Sequence, residues 1–399
     1  MTAPVILANP PGSFAWGVLA RRHPALIEQV REAFPYGPEQ HRALDALLRE
    51  STEGVIEPLA PDDRHERELW DVWGREYAGR GWFEVPFLWA ESYFYRRLLS
   101  AVGYFEPGPW QGVDPFAPFK RAELDGAEVG AELAALDALA GLSEEERAAA
   151  LLRGSLWGNR ADLGFRIASD TSGASDTSGA SDGTGDPDAR LVADDSGPLW
   201  SLLPPDPDTP GVVHLIADNA GRELIPDLVL LDHLLTSGRA ERAVLHVKPY
   251  PYYVSDAMTA DVVDCVRRIR RAPGRAAEAG ERLWAAMGTG RLAVRAHPFF
   301  CAPFPYSEMP GDLWRELSGA TVTLVKGDLN YRRLVGDQLW PPTTPFAGLT
   351  AYFPSPVTAL RTLKSDVITG LGPTVLSALE GSGQAWRTSG THALIQTRT

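Results

Sequence analysis

Val212-Val-His-Leu-Ile-Ala217 runs directly into Asp218-Asn-Ala-Gly-Arg-Glu223, and Leu224, Leu228, Leu231 and Leu235 then follow at helical spacing. A short β-branched run, a polar turn and an apolar helix make up the first half of a βαβ unit. Ala243-Val-Leu-His-Val247, Leu292-Ala-Val-Arg-Ala296 and Thr321-Val-Thr-Leu-Val325 repeat the strand, each separated from the next by enough chain for a helix. That alternation predicts an α/β fold with a doubly wound, mostly parallel sheet. Ligands of such sheets sit outside the carboxyl ends of the strands. The turns after these strands are therefore where chemistry is expected.

Upstream the pattern differs. Residues 1–165 read mostly as helix and are expected to form an amino-terminal helical domain. Leu44, Leu47 and Leu48 share one helical stripe, and Val85-Pro-Phe-Leu-Trp-Ala-Glu-Ser-Tyr-Phe-Tyr-Arg-Arg-Leu-Leu99 is a strongly apolar helix that Pro86 can open. Ser143-Glu-Glu-Glu146 has the form of a capping box. Residues 166–196 contain the hexad Ser169-Asp-Thr-Ser-Gly-Ala, repeated at Ser175. The repeat has no large apolar side chain to offset its ordering entropy, so this segment is expected to be a flexible surface loop. Residues 197–399 are then expected to form the α/β domain that carries the chemistry.

A 399-residue chain with 44% apolar and 23% charged residues is an ordinary globular composition for about two domains. The net charge of −14 argues against a nucleic-acid surface as its main business, since phosphate backbones require clustered Lys and Arg. It leaves small anionic substrates open, because a local cation inverts the sign. The two cysteines, Cys265 and Cys301, are read as reduced thiols, for two cannot form a disulfide framework. No run approaches 18 apolar residues, and the amino terminus lacks the basic start of a signal peptide; no membrane contact is expected, and the cytoplasm is the expected compartment. Oligomeric state is not legible.

Three strand-end turns carry the candidate chemistry. The first is Asp218-Asn219-Ala-Gly-Arg-Glu223, the second Tyr252-Tyr-Val-Ser255-Asp256, and the third Lys326-Gly-Asp328-Leu329-Asn330-Tyr331. Two carboxylates and an amide oxygen form part of a shell for Mg²⁺ or Mn²⁺. A lysine on a glycine turn suits a phosphoryl group. Asp and Asn at such junctions also cap helices, so one turn alone decides nothing. A fourth element, Leu360-Arg361-Thr362-Leu-Lys364-Ser-Asp366, places a cationic pair within reach of an anion whether the segment is extended or helical.

Together these residues resemble the metal-dependent damage-control phosphatases, and within them the subfamily marked by an R-T-x-K motif that includes a protein once described as an acidic-residue methyltransferase. The resemblance rests on Asp218-Asn219-Ala-Gly-x-Glu223, Ser255-Asp256, Lys326-Gly-Asp-Leu-Asn-Tyr-Arg332 and Arg361-Thr-x-Lys364. Trp82-Phe-x-x-Pro86, Glu91-x-x-x-Tyr95-Arg-Arg97, Ser155-Leu-Trp-Gly-Asn159-Arg-Ala-Asp162 and the tail Trp386-x-x-Ser389-Gly-x-x-x-Leu-Ile395-Gln396 extend it over nearly the whole chain. It implies a helical domain packed on an α/β domain, with the active site between them. It further implies that Asp218, Asn219 and Asp256 hold a divalent cation, Mn²⁺ or Mg²⁺, with Co²⁺ and Ni²⁺ as alternatives. Asp328, Leu329, Asn330, Tyr331, Arg332 and Lys364 would contact a small phosphorylated metabolite, such as fructose 1-phosphate or fructose 6-phosphate. Arg361, Glu91 and Asn159 are further candidates for the substrate. Lys326 and Lys364 would steady phosphoryl oxygens; Asp328 and Glu223 are the candidate proton carriers; the nucleophile is a metal-bound water or Asp218.

Rival readings are weaker. A haloacid-dehalogenase phosphatase needs a second Asp where Ala220 stands. A methyltransferase using S-adenosylmethionine would need a glycine-rich turn after the first strand, whereas Gly288-Thr-Gly290, Gly183-Thr-Gly185 and Gly370-Leu-Gly372 lie elsewhere. A non-catalytic metabolite-binding module would tolerate loss of a metal ligand, yet all three are present. His214, His246 and His297 show no metal spacing. Trp82, Trp89, Trp157 and Trp340 read as core or interface anchors, with Trp157 the one beside candidate site residues.

Overall fold

The structure, a computed structural model, describes residues 3–61, 63, 65–158, 190–205 and 211–399. Asn159 and the Ser/Asp/Gly hexads lie outside the described residues.

Among those residues a seven-stranded sheet runs in the order β1-β7-β6-β5-β2-β3-β4. The strands are β1 Leu191–Asp194, β2 Gly211–Ile216, β3 Ala240–Val247, β4 Leu292–Ala296, β5 Val322–Lys326, β6 Val357–Thr362 and β7 Ala393–Arg398. All pairs are parallel except β6–β7, so the sheet is mostly parallel as expected. Side chains alternate between its two faces. Val213, Leu215, Val322 and Leu324 join the core beneath the helix Leu224–Thr236, whereas Ile216 and Val325 pack with Phe300, Tyr306 and Leu334 on the other face. Burial on both faces is why these strands are continuous apolar runs.

One end of the sheet departs from the sequence reading. Leu191–Asp194, placed above within the flexible stretch 166–196, is strand β1 and pairs with β7. Its run of four residues is too short to show a period. The segment around Arg361, left open between extended and helical, is extended through Thr362.

The helices before the sheet form two groups. Leu44, Leu47, Trp70, Trp82, Phe87, Trp89 and Phe94 share an aromatic-rich core. Leu151, Leu152, Leu156 and Trp157 of the helix Glu144–Trp157 pack instead with the sheet, so apolar contacts cross the boundary drawn at residue 165. That helix opens with the expected capping box, Ser143 accepting from the Glu146 amide while the Glu146 carboxylate accepts from the Ser143 amide. The helix Phe87–Val102 starts after Pro86 and lies over the carboxyl edge of the sheet, where the Ser92 and Tyr252 hydroxyls are 2.6 Å apart. Among the described residues no helix is long and apolar enough to cross a membrane. Both cysteines are buried and unbridged.

Candidate active site

Strand order reverses between β2 and β5, and a crevice opens there at the carboxyl edge. Asp218 follows β2; Gly327 and Asp328 follow β5. The loop after β3 folds back so that Asn219 and Asp256 pair as an antiparallel bridge. The Ala257 amide donates to the Asp218 carbonyl at 2.9 Å, and the Ala220 amide donates to the Ser255 carbonyl at 2.6 Å. These backbone bonds set Asp218, Asn219 and Asp256 side by side although 38 positions separate the two acids in sequence. Gly327 makes room for them. Its φ of +87° is in the left-handed region, and a Cβ there would lie 1.9 Å from the Asp218 carboxylate.

The three residues line a cavity of about 480 Å³, together with Asp328, Leu329, Arg332 and Lys364 from the sheet edge. The helical region supplies Phe14, Val18, Arg22, His23, Glu91 and Tyr95, and the β3 loop adds Tyr253. Tyr253 holds a left-handed backbone at φ 53°, stacks on Tyr95 at 4.6 Å and donates its hydroxyl to Glu91 at 2.9 Å. A strained non-glycine residue at a cavity wall is the kind of feature that persists where the surroundings over-determine it.

Negative charge is concentrated at the β2 end. Burial pushes the Asp218 carboxyl well above its ordinary range, and the charges of Glu223 and Asp256 push it the same way, against Lys364 and Lys248. Burial also raises Asp256 to about 6, although the Lys248 ammonium is 3.3 Å from its Oδ2. Glu91 is raised by burial and partly restrained by Arg332 and the Tyr253 hydroxyl. Asp328 behaves oppositely. Burial works against its charge, but the Arg361 and Arg332 guanidiniums hold it below the ordinary carboxylate range.

The sequence candidates separate accordingly. Asp218, Asn219, Asp256, Asp328, Leu329, Arg332, Lys364 and Glu91 meet at the cavity. Glu223 stands just behind, accepting from Asn219 Nδ2 at 2.9 Å. The others are not brought in. Lys326, expected at the phosphoryl group, pairs with Asp227 at 3.0 Å and donates to the Ser155 carbonyl. The inward pleat of β5 sends its side chain into the core. Arg361 is fully buried, bound to Asp328 at 2.7 Å and stacked over Tyr331. Asn330 donates to the carbonyls of Ala217 and Lys326 and accepts from Tyr306, which steadies the strand end before Asp218. Tyr331 bonds Gln396 and Thr369. Arg361, Asn330 and Tyr331 thus support the site from behind rather than from its wall.

Sequence reasoning missed the contribution of the first helix. Residues Phe14–Gly17 and His23–Ala33 are α-helical, with a π turn at Val18–Arg22 between them whose bond runs from the His23 amide to the Val18 carbonyl. Pro24 is the signal that could have revealed it, because proline has no amide to continue the α-helical ladder. Lys248 and Lys120 were also missed; Lys120 Nζ donates to the Asp256 carbonyl at 2.9 Å.

Two carboxylates and an amide are hard oxygen donors, and the burial and neighbouring carboxylates that disfavour the ionised form of Asp218 are what a divalent cation would offset. The residues therefore fit a Mn²⁺ or Mg²⁺ ion. Asn219 now turns its amide nitrogen to Asp218 at 3.3 Å and accepts from Ser255 through its oxygen, so it would have to turn over to serve. No group of three or more His, Cys, Asp or Glu able to hold a metal occurs among the described residues.

The fold and the crevice define an α/β enzyme with an acidic strand-end site. Residues 18–377 match the damage-control phosphatase ARMT1-like domain. The chain belongs to that family and is an enzyme that hydrolyses phosphate esters. It is 31% identical to the damage-control phosphatase ARMT1 of Mus musculus, over 98% of this chain and 97% of the relative. With the Danio rerio protein of the same name it shares 29% identity, over 96% and 94%. A DUF89 family protein from Pyrococcus horikoshii has the same fold, with a TM-score of 0.51 and 13% identity over 96% of this chain and 98% of that one.

Proposed function

We propose that this protein is a divalent-metal-dependent phosphatase acting on phosphomonoesters of small metabolites, with sugar phosphates of the fructose 1-phosphate or fructose 6-phosphate type as substrates. The observation that carries the reading is the pair Asp218 and Asp256, buried together with excess negative charge at the edge of a cavity that also holds Lys364. Asp218, Asn219 and Asp256 would hold the cation, which when bound polarises a phosphoryl oxygen and offsets charge on the leaving group. Lys364 supplies fixed positive charge to the phosphoryl group, the kind of electrostatic help on which phosphoryl transfer depends.

Arg332 is held rigid by Glu91 at 3.0 Å and Asp337 at 2.7 Å, so its guanidinium shapes the wall without a rotamer search. Asp328, bound by Arg361 and by the Lys364 amide at 3.0 Å, stays ionised and fixes the backbone that carries Lys364. Its low proton affinity makes Asp328 a poor proton donor, so Glu223 is the better-placed proton carrier. The cavity lies between the helices and the sheet edge. The working compartment is taken to be the cytoplasm.

A phosphate-release screen over small phosphomonoesters with Mn²⁺, Mg²⁺, Co²⁺ or Ni²⁺ tests this, with Asp256→Ala as control. Metal-dependent release abolished by that change is expected. Release that survives chelation or the substitution overturns the reading. Labelled S-adenosylmethionine in the same reactions would expose a methyl transfer instead.

A further inference from the structure

The positive charges around the cavity are mostly spoken for. Arg332 is bound to Glu91 and Asp337, Arg361 to Asp328, and Lys326 to Asp227. Lys364 lies close enough to Asp218 to favour its ionised form. Arg22 differs. It is exposed, it lines the same cavity, and among the described residues its side chain makes no ion pair or hydrogen bond, its charge acting on buried Glu91 only at a distance. Its neighbour Arg21 points elsewhere, stacked over Trp16 at 5.1 Å.

The backbone explains the difference. The π turn at Val18–Arg22 adds one residue to a helical turn, so Arg22 comes to the cavity wall beside His23. His23 is 1% exposed and stacked on Phe94 at 3.7 Å, which locks the turn in place. Arg22 therefore places an unpaired guanidinium on a fixed backbone turn, on the wall built by the helical region rather than by the acidic strand edge.

We infer that Arg22 is a specificity-determining residue that binds the part of the substrate beyond the phosphoryl group, and that it selects phosphomonoesters bearing acceptor oxygens on that part. The inference rests on the phosphatase reading for which end of the substrate faces Asp218. A guanidinium offers five donors and no acceptor, so it recognises hydroxyl, carbonyl or carboxylate oxygens and gains nothing from an aryl group of matching size. A bond to a charged donor in such a site is worth about tenfold to a hundredfold in affinity.

The test compares Arg22→Gln with the wild type on two esters in the presence of Mn²⁺: a polyhydroxylated sugar phosphate and p-nitrophenyl phosphate. The variant should raise KM for the sugar phosphate about tenfold to a hundredfold, with kcat nearly kept, and should change KM for the aryl ester less than about threefold. Arg22→Lys should recover part of the loss, Arg21→Gln should do nothing, and melting of Arg22→Gln should match the wild type because the side chain has no partner to lose. Equal loss on both esters, or no change on either, overturns the inference. Should the wild type hydrolyse neither ester, the phosphatase reading falls, and calorimetric titration of the sugar phosphate into wild type and Arg22→Gln still decides the role of Arg22. Weaker binding by the variant supports it, and equal binding sinks it.

Discussion

Two sets of buried charges lie within a few residues of each other at the carboxyl edge of the sheet, and they are built on opposite terms. In one set, Lys326 with Asp227 lies behind the cavity, while Arg361 with Asp328, and Arg332 with Glu91 and Asp337, reach its wall; all are closed pairs in which each charge has a partner. In the other, Asp218 and Asp256 at the cavity wall crowd together with Glu223 just behind them, and the Lys248 ammonium lies 3.3 Å from the Asp256 carboxylate. The first set stabilises the fold only while complete, since breaking a buried pair strands a charge. The second, on the proposed reading, would be relieved by an added cation and would destabilise the protein without it. The same residue types therefore support the scaffold in one place and supply chemistry in the other.

The largest effect should come from the wall. Asp218→Asn should lower phosphate release by more than about 10²-fold, since loss of even an outer partner of a metal ligand costs about 10–100-fold. In chelator the same variant should melt higher than the wild type, because it removes a crowded buried charge. Added Mn²⁺ should raise the melting temperature of the wild type and not of the variant. A metal-induced shift that is equal in both would place the ion elsewhere.

Breaking the closed set should do the reverse. Lys326→Met leaves Asp227 unpaired and should cost about 3–5 kcal/mol of stability, measured by urea unfolding. The double change with Asp227→Leu should recover most of that loss. A Lys326→Met protein with native stability but a phosphate-specific KM defect would return Lys326 to the cavity.

Gly327→Ala joins the two sets and should sharpen the boundary. A side chain at φ +87° against the Asp218 carboxylate should lower kcat about tenfold or more and cost about 1–3 kcal/mol.

The smallest effect concerns pH. Burial lowers His23 and His246 to about 3 and His214 to about 4. The unfolded chain therefore binds protons below about pH 6.5 that the folded one does not, and these groups remove stability as pH falls through that value. Asp227, raised by burial to about 6, works the other way, because the folded state holds its proton more tightly. His23→Phe should therefore show a smaller drop in melting temperature between pH 7 and pH 5 than the wild type, by up to about 2 kcal/mol in stability terms. An unchanged slope would mean that His23 titrates normally.

Much of this is legible in the sequence. The strands at Val212, Ala243, Leu292 and Thr321 announced themselves as β-branched runs because parallel strands are covered on both faces. Asp218, Asn219 and Asp256 were visible because they follow such strands or the loop beyond. β1 is not legible in the sequence because four residues show no period, and β6 reads as either extended or helical because Arg361 and Thr362 interrupt its apolar run. Lys326 was misplaced for a subtler reason. Its position one residue before Gly327 is compatible with either side of the sheet, and only the pleat assigns it to the core.

The sequence by itself determined the doubly wound sheet and the acidic turns at its edge, because hydrophobic period and turn composition are local properties of the chain. The tertiary structure alone decided which charges close on one another and which remain at the cavity, and that a π turn ahead of Pro24 sets Arg22 in the wall of the cavity that Asp218 also lines. Those outcomes depend on distances between segments far apart in the chain, and a buried charge takes its role from whatever the fold sets beside it.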